Sequence, residues 1–188
     1  MDKKNTNIKF HFPAKNEKDL GNEHDEIASD YRGKIIHYVT ELEDRMNAVI
    51  VEYFIKDNFT TRLEFEHVII TEERFSLSFK FGIISYLVKH PFKSFGESNT
   101  HFLTVLDSLI GMRNKYAHYG FINKSPRHHN TTPPLRLNKL SHTTRATKTD
   151  FVFLNEKDLK EFYGDCFAVK KCLKELWNLI VESNKKKE

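Results

Sequence analysis

The amino-acid sequence predicts an all-α fold: a bundle of four amphipathic helices, a long basic loop before the last of them, and room for a small β-hairpin. Three observations point there. Apolar residues recur at steps of three and four over four separate stretches, the spacing of one helix face. Sixteen Phe and seven Tyr supply bulk for a core, although only 39% of the 188 residues are apolar and 30% are charged. Residues 121–148 carry Pro126, Pro133, Pro134 and many Ser, Thr and Asn, the composition of a long loop or loose hairpin. The length suits one domain, placed at residues 23–183 between polar ends at 1–22 and 184–188.

Within the N-terminal tail only Ile8–Phe12 alternates, as a short edge strand would, and Pro13 ends it. Ile27, Tyr31, Ile35, Val39, Leu42, Met46, Val49, Tyr53 and Phe54 then trace one long helix over about 23–57. Thr71-Glu72-Glu73 reads as the start of a second, with a capping hydroxyl and acids in its first turn. Phe75, Leu77, Phe79 and Phe81 alternate like a strand, whereas Phe75, Phe79, Ile83, Tyr86 and Leu87 keep helical spacing. The run continues apolar to Val88 before His90-Pro91, and that length favours a helix. A third helix is expected from about Ser98 to His118, with Phe102, Leu106, Leu109, Ile110 and Ala117 inward and Gly120 as its left-handed stop. Phe151–Leu154 suits a short strand. Asn155-Glu-Lys-Asp158 caps a last helix over about 156–183, its inner face Leu159, Phe162, Phe167, Val169, Leu173, Leu176, Trp177 and Ile180.

Several function classes are set aside by composition. No apolar run approaches the roughly 20 residues of a membrane span, the best being Phe81–Val88. The N-terminus does not read as a secretory signal. Cys166 and Cys172 fall on different faces of one expected helix and cannot pair without breaking it, which fits a reducing cytoplasm. His128, His129, His142 and Asp150 lack metal-ligand spacing, and no Gly-rich phosphate loop, nucleophile elbow or paired-cysteine signature occurs. Neither a metal nor another cofactor is therefore expected.

Charge is distributed unevenly. The net charge is +4, yet Ser108–Thr149 contains no Asp or Glu and holds Arg113, Lys115, Lys124, Arg127, Arg136, Lys139, Arg145 and Lys148. The remainder of the chain is therefore net acidic. A positive block of this kind suits a polyanion-binding surface.

That block opens with Arg113-Asn114-Lys115-Tyr116-Ala117-His118 at the end of the third helix. Asn114 and His118, one turn apart, share a face, while Arg113 lies about 100° round from Asn114. Carbonyl ends at a helix C-terminus favour imidazolium, and neighbouring Arg113 and Lys115 oppose it, so His118 is held near its switching point. Such a histidine suits general acid–base work. Arginine offers a forked donor to phosphate oxygens and stabilises charge developing on phosphorus. Attack of an RNA 2′-hydroxyl on its own phosphodiester needs only a base, an acid and a cation. The expected products are a 2′,3′-cyclic phosphate and a 5′-hydroxyl. One copy of the motif borders a groove without closing it, and a C2 homodimer bringing two copies together would make a convergent site.

An Arg-Asn-x3-His sequence closing a helix resembles the signature of the HEPN superfamily. The resemblance implies a four- to five-helix HEPN-like bundle that homodimerises through its motifs and acts as a metal-independent endoribonuclease, in toxin–antitoxin or anti-phage systems. Carried over by position, it makes Arg113, Asn114 and His118 the catalytic candidates. Lys115, Tyr119, Lys124 and Arg127 are the candidate RNA contacts, and an antitoxin or other defence subunit becomes a further expected partner. HEPN toxins paired with nucleotidyltransferase antitoxins carry a tyrosine two residues past the histidine, where this chain has Gly120. The phrase also resembles mannitol-operon-repressor-type relatives, which implies an alternative: a non-catalytic RNA- or nucleotide-binding or regulatory dimerisation module.

Overall fold

The computed structural model describes residues 19–55, 59–72, 74–121, 135–139, 152–154 and 156–186. These residues are mostly helical, and the expected strand at Ile8–Phe12 lies outside them.

Helix α1 spans Asp19–Phe54, starting four residues before the expected boundary. Its buried line is Ile35, Val39, Leu42, Met46, Val49 and Ile50. The C-terminal helix α6, Glu156–Lys185, buries Leu159, Phe162, Cys166, Val169, Leu173, Leu176 and Ile180. Strict alternation of three- and four-residue steps makes this a straight apolar seam, and α6 packs along α1. Each fully buried Leu, Ile or Phe contributes roughly 1.5–3 kcal/mol, so these two seams carry much of the fold. Phe167 and Trp177, expected inside, lie off that line and are 74% and 38% exposed, while Cys166 takes the inward place. On the flank of the α1–α6 seam, the Tyr38 and Tyr163 rings meet at a tilt of 52° with centroids 4.8 Å apart. Lys170 caps Tyr38 at 5.5 Å and pairs with Glu41, whose carboxyl that hydrogen bond holds below its usual range.

After α1 the chain forms α2, Phe59–Glu64, and one π-helical turn, Phe65–Ile70, neither of which the periodicity indicates. Arg62 of α2 donates to both oxygens of buried Glu52 at 2.9 and 3.0 Å, anchoring this short helix to the end of α1. Thr71 does not open the next helix. Its hydroxyl donates back to the His67 carbonyl at 2.6 Å, closing the π turn. Helix α3 is Leu77–Lys89, and Ser76 caps it by accepting the Phe79 N–H at 3.3 Å. The ambiguous aromatic run is thus helical, but of its expected stripe Leu87 is buried while Phe79 and Tyr86 are exposed, and Lys80, Ile84 and Val88 complete the inner face. Lys80 can occupy the inner face because Glu43 of α1 accepts from it at 2.6 Å.

The expected third helix forms, starting four residues late at Phe102, and a short helix that the periodicity does not indicate precedes it. A short α4, Lys93–Ser98, ends where Asn99 returns both its backbone N–H and its side-chain amide to the Phe95 carbonyl. Gly96 permits its close approach to α3, since a Cβ there would lie 2.8 Å from the Val88 carbonyl oxygen. Helix α5, Phe102–His118, then runs against α1, α3 and α6, burying Phe102, Leu106, Leu109, Ile110 and Tyr116. Ala117 is only half-buried. No left-handed stop follows. The chain passes directly into β1, Tyr119–Phe121, where Gly120 pairs with Asn138. Strands β2, Leu135–Lys139, and β3, Val152–Leu154, complete an antiparallel sheet in the order β1-β2-β3. Among the described residues, no helix is long and apolar enough to cross a membrane.

Both thiols are free, and burial raises both, Cys166 to about 12. Because the thiolate is the reactive form, a disulfide-exchange reagent at neutral pH is expected to modify half-buried Cys172 first and Cys166 only on opening of the α1–α6 seam. Mass spectrometry of partly labelled protein checks the order, and equal rates would contradict this packing of α6.

Candidate active site at the end of α5

The apolar seam of α5 is interrupted just before the helix's last turn. Leu106, Leu109 and Tyr116 define the buried line, and Arg113 occupies the intervening seam position, four residues after Leu109 and three before Tyr116. An aliphatic side chain there would simply extend the core. The arginine is instead half-buried, and its Nη1 donates to Oδ1 of Asn114 at 3.2 Å. Asn114, also half-buried, follows Ile110 by one turn. The neighbours thus form one unit in which the amide orients the guanidinium at the edge of the bundle, a contact that angular separation on an ideal helix does not suggest. Lys115 is exposed on α5.

His118 is the final residue of α5 and Tyr119 the first of β1. Lys124 and Arg127 lie outside the described residues, as do His128, His129, His142 and Asp150. Of the basic window, Arg136 and Lys139 return on β2, which packs against α5. The register sets Lys139 opposite Tyr119, one residue beyond the motif histidine. In the sequence Lys139 is one of eight basic residues in a single block, and only strand pairing singles it out.

Tyr116 holds the turn in place. Its ring is fully buried, and its hydroxyl has no hydrogen-bond partner among the described residues. Burial first, then the charge of Asp158, pushes that phenol well above its ordinary value. An unpaired buried hydroxyl costs about 1–3 kcal/mol, so Tyr116→Phe is expected to match or exceed wild-type stability, by up to about 1 kcal/mol. Urea unfolding at unchanged m-value checks this. A clear loss of stability would mean that the hydroxyl is bonded.

The main chain of the same residue makes the other decisive contact. A helix leaves its last four carbonyls without intrahelical donors, and the Tyr116 carbonyl is one of these. Arg32, half-buried on α1 and 84 residues away in sequence, donates its Nε–H to that oxygen at 2.8 Å. Sequence reasoning passed over Arg32. Its one legible mark is its place three residues before Ile35, on the flank of the α1 core line.

Compared with known proteins, the chain matches no family model, no curated protein and no solved structure. The site is therefore read from its own chemistry: an oriented guanidinium, a histidine ending the same helix, and cationic residues on the strand beside it.

Proposed function

We propose that this protein is a metal-independent endoribonuclease of HEPN type, built on a HEPN-like bundle with a small hairpin after the motif helix. In this reading His118 is the general acid–base and Arg113 stabilises charge developing on the phosphorus. Asn114 orients Arg113, while Lys115, Tyr119, Lys124 and Arg127 meet the RNA. Two motifs face one another across a homodimer, and each active site draws on both. The biology implied is growth arrest or anti-phage defence, with an antitoxin or another defence subunit as partner.

One observation carries this reading. Just before the C-terminal turn of α5, an arginine stands in a seam position that packing alone would give to an aliphatic residue, and its neighbour's amide orients it. The acid-free window beginning at Ser108 supports it, since a phosphodiester backbone meets no carboxylate along that stretch.

The test is incubation of wild-type, Arg113→Ala and His118→Ala protein with end-labelled RNA in EDTA, with product ends identified. Cleavage by wild type alone, leaving 2′,3′-cyclic phosphate and 5′-hydroxyl ends, is the expected result. RNA binding by folded protein without cleavage would reassign the motif to a non-catalytic binding or dimerisation module.

A further inference from the structure

We propose that Arg32 is a positioning residue for the α5 site: it clamps the turn that carries the motif and thereby sets where Arg113 and His118 stand. The catalytic part of this inference rests on the nuclease reading above, whereas the clamp itself does not.

The observation is the 2.8 Å bond from Arg32 Nε to the Tyr116 carbonyl. Tyr116 lies between Arg113 and His118 in sequence, so this oxygen belongs to the turn that spaces them. The residue is held from two sides. Its ring is sealed in the core at 0% exposure, and its carbonyl is drawn to α1. The helix itself gives that carbonyl no donor, because the i to i−4 ladder runs out in its last turn. A charged donor makes a hydrogen bond roughly twice as strong as a neutral one, and a cation at a helix C-terminus also opposes the helix dipole. Removing it frees a turn in which an error of about 1 Å in a reacting group can cost on the order of 100-fold in rate.

The experiment compares wild type, Arg32→Gln and Arg32→Lys in two measurements. In steady-state cleavage of a labelled RNA, Arg32→Gln should lower kcat by roughly 30- to 100-fold. KM should stay within about twofold, because substrate binding is not what the clamp supplies. Arg32→Lys, which keeps the charge but not the planar donor, should recover part of the loss. In amide hydrogen exchange, Arg32→Gln should speed exchange in the last turn of α5 and leave the middle of α6 unchanged.

Unchanged kcat together with unchanged exchange in that turn would overturn the proposal. So would a uniform loss of protection across α1, α5 and α6 with normal kcat per folded molecule, since that is general stabilisation. A wild-type protein that cuts no RNA, while Arg32→Gln still loosens this one turn, would overturn the nuclease reading and leave the clamp standing.

Discussion

On the proposed nuclease reading, replacing His118 with alanine is expected to lower RNA cleavage by about 10²- to 10⁴-fold, the range lost when a positioned acid–base is removed. Arg113→Ala should cost about 10²- to 10³-fold, because it takes away a preorganised donor for the charge that develops on phosphate. The double variant should be little worse than His118→Ala alone, since groups acting in one transition state do not contribute additively. Asn114→Ala should have the smallest effect of the three. Its Oδ1 orients Arg113, and without it the guanidinium keeps its charge but loses a restraint. Stability separates this picture from its rival. Arg113 and Asn114 are half-buried at the rim of the core, so their removal leaves no cavity comparable to that from a residue such as Leu109. A catalytic motif therefore predicts large kinetic losses at nearly constant urea midpoint. A dimerisation motif predicts the reverse, with sedimentation showing dissociation to monomers.

What the sequence discloses about this fold follows from how each helix is buried. α1 and α6 are legible because each presents one apolar stripe to the same core, and Ile35, Val39, Leu42, Met46 and Leu159, Phe162, Val169, Leu173 name most of that stripe. α3 misleads because it is apolar on two faces. Phe75, Phe79, Ile83, Tyr86 and Leu87 keep helical spacing, yet of these only Leu87 is fully buried; Lys80 and Ile84 share the inner face with it, and a lysine argues against that face until its partner on α1 is known. Trp177 and Phe167 fail for a related reason: hydrophobicity ranks them as core, while the three–four alternation of α6 leaves them outside. The α2 segment and its π turn are too short for periodicity to register.

The site divides along the same line. Arg113, Asn114 and His118 are close in sequence, so local spacing is enough to nominate them. Arg32 and Lys139 reach the same turn only through the packing of α1 on α5 and the register of β2 on β1, which no local pattern encodes.

Glu43→Ala is expected to destabilise the protein by about 3 kcal/mol, the scale of breaking a buried ion pair by removing one partner. The Lys80 side chain is 5% exposed and sits on the inner face of α3 with Ile84 and Leu87, whereas the Glu43 side chain is 26% exposed and still reaches water. This asymmetry decides the outcome. Deleting Glu43 strands an ammonium group that cannot be rehydrated without opening the α1–α3 contact. Lys80→Met instead leaves a carboxylate at the rim that water can solvate, and a thioether of similar length fills the space, so its cost should stay below about 1.5 kcal/mol. Adding Lys80→Met to Glu43→Ala should then restore most of the loss, because no charge remains buried, with a coupling energy within the roughly 0.5–3 kcal/mol seen for residues in contact. Urea unfolding of the four proteins, with far-UV circular dichroism to confirm retained helix, measures all three differences. Equal costs for the two single variants would place Lys80 at the surface and turn α3 back toward the aromatic face that its spacing first suggests.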